Sequence, residues 1–144
     1  MPEPAPAGSL PRVSVIMPVF NEERFIGRSL GAVLAQDYPA DLMEILVCDG
    51  RSTDRTREIV EGMKARHGGL RLVDNPLRTT ATGLNAGIRA ARGEIIVRID
   101  GHAEIGPDFV RACVEELART GADHVGGGVR AEGTTPFGRA VAWG

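Results

Sequence analysis

An excess of charge of one sign is the first thing this sequence lacks. Its 17 Lys and Arg are set against 19 Asp and Glu, for a formal net charge of −2. They are too mixed along the chain to build the broad basic surface that duplex nucleic acid demands, so no nucleic-acid partner is expected. Cysteine is scarce as well. Cys48 and Cys113 lie far apart, each inside an apolar pattern, and read as reduced core residues, which favours a reducing, cytoplasmic setting. No run reaches the roughly 18 to 20 apolar residues that span a bilayer. Membrane association, at a cytoplasmic face, is therefore expected only through regions beyond this chain. Residues 1–12 are rich in Pro and Ala and lack the basic start and apolar core of a secretion signal, so they read as a flexible lead-in. Residues 139–144 end without a cap or polar tail, and the expectation is a domain over 13–144 truncated at its C-terminus. Apolar residues, by contrast, are plentiful. They make up 42% of 144 positions, enough for the core of one domain.

The apolar residues alternate between two periods. Residues 13–17 form a short β-branched run that Pro18 is expected to end, followed by Asn21 as a helix N-cap with Glu22 and Glu23 in the first turn. Ile26, Leu30, Val33 and Leu34 then recur at helical spacing. Residues 44–48 predict a second strand, and residues 52–54 open a helix with Thr56, Ile59, Val60 and Met63 on its apolar face, closed at Gly68. Residues 70–73 predict a third strand. The turn at 74–76 leads into a long polar loop, and a helix around Leu84, Ile88 and Ala91 ends at Gly93. Residues 94–99 predict a fourth strand, and Pro107 takes the first position of a helix whose stripe is Val110, Cys113, Val114 and Leu117, up to Gly121. A weaker fifth strand is expected near 125–131, where three glycines interrupt it. Such alternation implies an α/β fold with a mostly parallel sheet covered by helices on both faces.

In such sheets ligands bind outside the carboxyl ends of the strands. The chemically capable residues cluster there: Asn21 and Glu22, the 49–54 segment, the 75–85 segment and the 100–104 segment. The turn Pro18-Val-Phe-Asn-Glu22 has no glycine, which disfavours a dinucleotide fingerprint, and no G-x-x-x-x-G-K-[ST] loop is present. Asp100-Gly-His102 leaves a strand, and residues at i and i+2 of an extended segment point the same way, so both side chains could face one site. Two protein ligands suit Mg²⁺ or Mn²⁺ that also bridges substrate phosphates, and the imidazole shifts the preference toward Mn²⁺. The same residues also fit a turn-forming Asp and a surface His.

Four segments in order carry a resemblance: Val13-Ser-Val-Ile-Met-Pro-Val-Phe-Asn-Glu22, Cys48-Asp-Gly-Arg-Ser-Thr-Asp54, Gly83-Leu-Asn-Ala-Gly-Ile88 and Ala91-Arg-Gly-Glu-Ile-Ile-Val-Arg-Ile-Asp-Gly-His102. Together the chain resembles the family-two glycosyltransferases of the Rossmann-like GT-A fold, and most of all their succinoglycan and exopolysaccharide branch. The resemblance implies that Pro18, Val19, Asn21 and Glu22 line a nucleoside pocket and that Asp49 reads the base, commonly uracil. A carboxylate can accept from an imide N–H, although Asp49 also fits a turn cap before Ser52. Asp54 reads better as a helix-terminus residue. Asn85 and Gly87 either shape the loop over the diphosphate or serve a closely packed helix start. Arg78 and Arg98 either offset diphosphate charge or are simply solvated or salt-bridged. Asp100 matches the first acid of the family's Asp-x-Asp motif, with His102 in place of the second. The implied reaction is inverting, metal-assisted transfer from a nucleoside diphosphate sugar, UDP above all, to an acceptor saccharide or lipid-linked saccharide. Neither Asp123 nor Glu132 lies in a segment like the family's base motif, so no catalytic base is assigned. His67 and His124 are not site candidates. A sugar-phosphate nucleotidyltransferase, and a nucleotide-binding module without turnover, are the alternatives.

Overall fold

The computed structural model describes residues 8–126, and strands and helices alternate four times along them. They are β1 (Val13–Val19), α1 (Ile26–Leu34), β2 (Met43–Asp49), α2 (Thr56–Met63), β3 (Leu70–Asp74), α3 (Thr80–Ala90), β4 (Ile95–Arg98) and α4 (Phe109–Thr120). Short 3₁₀ turns, Ala40–Leu42 and Lys64–Arg66, precede β2 and follow α2. The four strands form one sheet in the order β3-β2-β1-β4, with every pairing parallel. The α/β class read from the sequence is thus the fold observed. The predicted fifth strand falls largely outside the described residues, and residues 125 and 126 are in no strand.

The alternation of β1 sorts its side chains to two cores. Val13, Val15, Met17 and Val19 join Ile26, Leu30 and Val33 of α1, Val60 of α2, and Val110 and Val114 of α4 in the larger one. Ile26, Leu30 and Val33 are fully buried, each contributing about 1.5–3 kcal/mol of apolar burial. Ile16 joins Leu46 and Cys48 on the opposite face, under α3. There the helix presents glycines rather than bulk. A Cβ on Gly87 would stand 2.5 Å from Ile16 Cγ2 and 3.0 Å from Cys48 Sγ, so the close approach of α3 to the sheet requires glycine. Ile88, expected on the buried stripe of α3, is exposed instead, because Gly83 and Gly87 occupy that stripe.

Three further expectations change. β1 does not stop at Pro18 but runs to Val19. Ile16 O accepts from Ile99 on the β4 side, whereas Val19 O accepts from Gly50 on the β2 side. Pro18 therefore turns its missing N–H toward the β4 side, where β4 pairing has ended at Ile16, and costs no ladder bond. The loop after β3 spans only residues 75–79, because Thr79 caps α3 by accepting from the Thr82 N–H at 3.1 Å. Pro107 precedes the Asp108 cap position rather than following it.

Two predictions arise from buried groups. Burial raises the Cys48 thiol to about 11, so the native protein should resist alkylation at Cys48 near neutral pH; rapid labelling there under native conditions would contradict the packing. Burial alone would raise the Glu44 carboxyl, but hydrogen bonds from Ser14 Oγ, the Arg92 N–H and Arg71 hold it below its ordinary 4.5. A depressed folded-state value means stability that is complete above 4.5 and lost as pH falls through the lowered value. Glu44→Gln should therefore lower the urea midpoint near neutral pH and converge with the parent in acid; a pH-independent gap would rule this out.

Candidate functional site

Strand order makes the site. β1 is followed by β2 on one side, and β4 lies on the other, so the order in which strands are added reverses between β1 and β4 and opens a crevice at their carboxyl ends. Glu22 from the β1 loop and His102 from the β4 loop meet there, with Glu22 Oε1 3.0 Å from His102 Nδ1. Gly101 permits this contact. A Cβ at that position would come 2.7 Å from Val19 Cγ1 and 3.3 Å from Glu22 Cγ.

The loops after β1 and β2 are laced together. The Asn21 N–H donates to Ser52 Oγ at 2.9 Å, and Asn21 Oδ1 accepts from the Thr53 N–H at 2.8 Å. The Glu22 N–H donates to Thr56 Oγ1 at 2.8 Å, and the Glu23 N–H to Asp54 Oδ2 at 3.1 Å. Asn21 is thus not the expected N-cap. It has φ +49, α1 begins at Ile26 with no side-chain cap, and its amide cross-links two loops. Asp54 serves the start of α2, accepting from the Thr56 N–H and hydroxyl at 2.9 and 2.6 Å, and these bonds outweigh burial to keep its carboxyl low. Asn21, Arg51 and Arg78 are the non-glycine residues with positive φ among the described residues. One follows each of β1, β2 and β3, so the backbone strain gathers on the ligand edge.

Asp49 is buried, and its carboxylate accepts from Ser52 Oγ at 2.5 Å and from the Ser52 N–H, with Arg57 Nε at 3.5 Å. The turn-capping geometry is therefore realised. Asp100 and His102 do not lie on the extended segment that would make them co-facing by alternation. The chain turns after Asp100, with the Ala103 N–H donating to Asp100 O at 3.0 Å. Asp100 Oδ1 instead takes Arg98 Nε at 2.9 Å, which realises the salt-bridge reading of Arg98. Arg78 stands 6.0 Å from the Phe20 ring centroid. Asn85 is exposed on α3 and borders a separate cavity of about 320 Å³ with Asp74, Asn75, Leu77, Thr82 and Arg89. Pro18, Val19, Asn21, Glu22, Asp49, Asp100 and His102 thus share the carboxyl edge of β1, β2 and β4, and Asn85 sits beside β3. Sequence reading missed Phe20, whose 43% exposure beside Gly50 marks it; an aromatic directly after a strand was the available signal.

Among the described residues no three His, Cys, Asp or Glu are grouped to hold a metal. The donor chemistry nonetheless fits one. Glu22 engages His102 Nδ1 and so leaves Nε2 for a ligand, the arrangement in which a carboxylate orients a metal-binding imidazole. Asp100, partly exposed, can exchange Arg98 for a cation.

A parallel α/β sheet with polar side chains gathered where its strand order reverses is the architecture of open α/β domains that bind ligands at that edge. The chain belongs to glycosyl transferase family 2, whose model matches residues 14–143. It is 36% identical over 135 residues to glycosyltransferase AglE of Haloferax volcanii, covering 93% of this chain and 44% of that protein. It is 28% identical over 131 residues to the succinoglycan biosynthesis protein ExoA of Rhizobium meliloti, covering 90% of this chain and 39% of that one. Its fold superposes on the mannosyltransferase PcManGT of Pyrobaculum calidifontis, solved with GDP-Man and Mn²⁺, with a TM-score of 0.72, 37% identity, and coverage of 77% of this chain and 33% of that one. The chain spans less than half the length of these relatives.

Proposed function

We propose that this chain supplies the donor-binding part of an inverting glycosyltransferase that moves a sugar from a nucleoside diphosphate, UDP in the first instance, to the hydroxyl of an acceptor saccharide or lipid-linked saccharide in polysaccharide or glycolipid synthesis. The observation that carries the reading is the meeting of Glu22 and His102 at the strand reversal, beside a buried carboxylate on β2. The complex of PcManGT with GDP-Man and Mn²⁺ supports a nucleotide-sugar donor and a divalent ion for this chain as well.

In this reading Pro18, Val19 and Asn21 form the nucleoside wall, with Phe20 as an exposed ring against which a base can stack. Asp49 accepts the imide N–H of uracil once the Ser52 hydroxyl turns away. Asn85 and Arg78 belong to the diphosphate side. Asp100 and His102 Nε2 would hold Mn²⁺ or Mg²⁺, which offsets charge on a departing diphosphate. Glu22 fixes the tautomer and direction of the imidazole. No residue of the chain is assigned as the base that deprotonates the acceptor, so residues 1–144 alone should bind donor and transfer nothing; transfer to any acceptor would refute that division of labour. The nucleotide itself is tested by titrating UDP and GDP into the chain with and without Mn²⁺. Metal-dependent binding of UDP in preference to GDP is expected, and metal-indifferent binding would favour a nucleotide-binding module without turnover.

A further inference from the structure

The amino ends of the strands, opposite the nucleotide edge, carry a second cavity, of about 460 Å³. Its wall includes Arg12, Glu44, His67, Arg71 and Arg92. His67 is only 8% exposed. Its Nδ1 accepts the Gly69 N–H at 3.0 Å, which assigns the proton of the neutral ring to Nε2. Burial also pushes this imidazole below its ordinary value, in favour of the neutral form. Nε2 is buried and meets no acceptor, and a buried donor of this kind calls for one.

The nearby charges say which kind. Glu44 is fully engaged by Ser14 Oγ, the Arg92 N–H and Arg71 Nη2, and Arg71 also reaches Ala90 O at 3.1 Å. Arg12 and Arg92 are exposed, and among the described residues neither guanidinium has a carboxylate partner; their backbone N–H groups donate to the Glu94 and Glu44 carboxylates. Asp41, at the wall, is the other acid there. We propose that this cavity binds a small oxyanion of the phosphate class, with Arg12 and Arg92 as its forks and His67 Nε2–H, closed off from solvent in this structure, as the donor that the anion uncovers on binding. Guanidinium groups match the paired oxygens of phosphate. The phosphate can come from a soluble compound or from an anionic lipid headgroup, and the same residues would hold either.

The test uses the whole chain and inorganic phosphate, followed by proton–nitrogen NMR with ionic strength held constant by chloride. Saturable shifts at Gly68, Gly69 and Gly93, with sharpening of the His67 Nε2 proton, are expected. Arg12→Gln with Arg92→Gln should weaken them at least about tenfold, the loss of charge-assisted hydrogen bonds, without unfolding the protein, because both side chains are exposed. Flotation with phosphatidylcholine vesicles, with and without phosphatidylglycerol, identifies the source: capture that the double variant loses indicates a headgroup, and phosphate shifts without capture indicate a soluble compound. Absence of saturable shifts, shifts confined to residues 20–22 and 100–103, or shifts unchanged in the double variant would each overturn the assignment.

Discussion

Asp100→Ala is expected to weaken Mn²⁺-dependent UDP binding about 100-fold or more, at or beyond the upper end of what groups supporting a metal site contribute. Asp100 is the only carboxylate in the proposed ligand pair, and His102 alone would be a poor site for a hard cation. The Arg98 contact at 2.9 Å makes a second variant informative. Arg98→Gln frees the Asp100 carboxylate, so it should keep the metal dependence or strengthen it. If both variants lose binding to the same degree, the Arg98 and Asp100 pair is a structural clasp and the ion lies elsewhere. Glu22→Gln is intermediate: it keeps a hydrogen-bond partner for Nδ1 but removes the charge, and should weaken metal binding less than Asp100→Ala. Isothermal titration of UDP at fixed Mn²⁺ reads all three.

Gly93→Ala should be the most damaging glycine-to-alanine change among the described residues. A Cβ there would lie 2.5 Å from the Ser14 backbone N, 2.6 Å from Ser14 Oγ and 2.7 Å from the Val13 carbonyl carbon. These are backbone atoms of a central strand and a hydroxyl that receives the Gly93 N–H at 2.8 Å, so nothing nearby can move aside. The expected loss is about 3 kcal/mol or more, a fall in Tm of roughly 10 °C. Gly31→Ala is the control. Its Cβ would meet nothing within 4 Å, and in a helix the change should stabilise by up to about 1 kcal/mol. Equal effects in thermal melts would show that the contact geometry around Gly93 is not what sets the cost.

Periodic features were legible in the sequence and converging ones were not. The β-branched run at 13–17 and the helical spacing of Ile26, Leu30 and Val33 report burial directly, because each residue's own type decides it. Ile88 misled for the same reason: it has the right spacing, but the glycines of α3 take the inner face. Asn21 has the right type for a cap, yet Ser52 and Thr53, some 30 residues on, claim it. The expected co-facing of Asp100 and His102 rested on an extended backbone, and the turn that ends at Ala103 removes that premise. Glu22 and His102 lie 80 positions apart, and only the strand order could bring them together. His67, not a site candidate in the sequence, shows an unpaired donor only once its surroundings are folded.

The position of β1 between β2 and β4 also fixes an order of assembly. Residues 13–19 can pair with 43–49 as soon as the first helix has formed, but their other edge waits for residues 95–98. A chain leaving the ribosome therefore holds a half-paired central strand, with the backbone N–H and C=O groups of Ser14 and Ile16 open on its free margin, through the synthesis of two further helices and β3. Such a margin can recruit foreign strands. The corner where Glu22 meets His102 closes only when that wait ends, so slowing translation just before β4 should favour aggregation over yield.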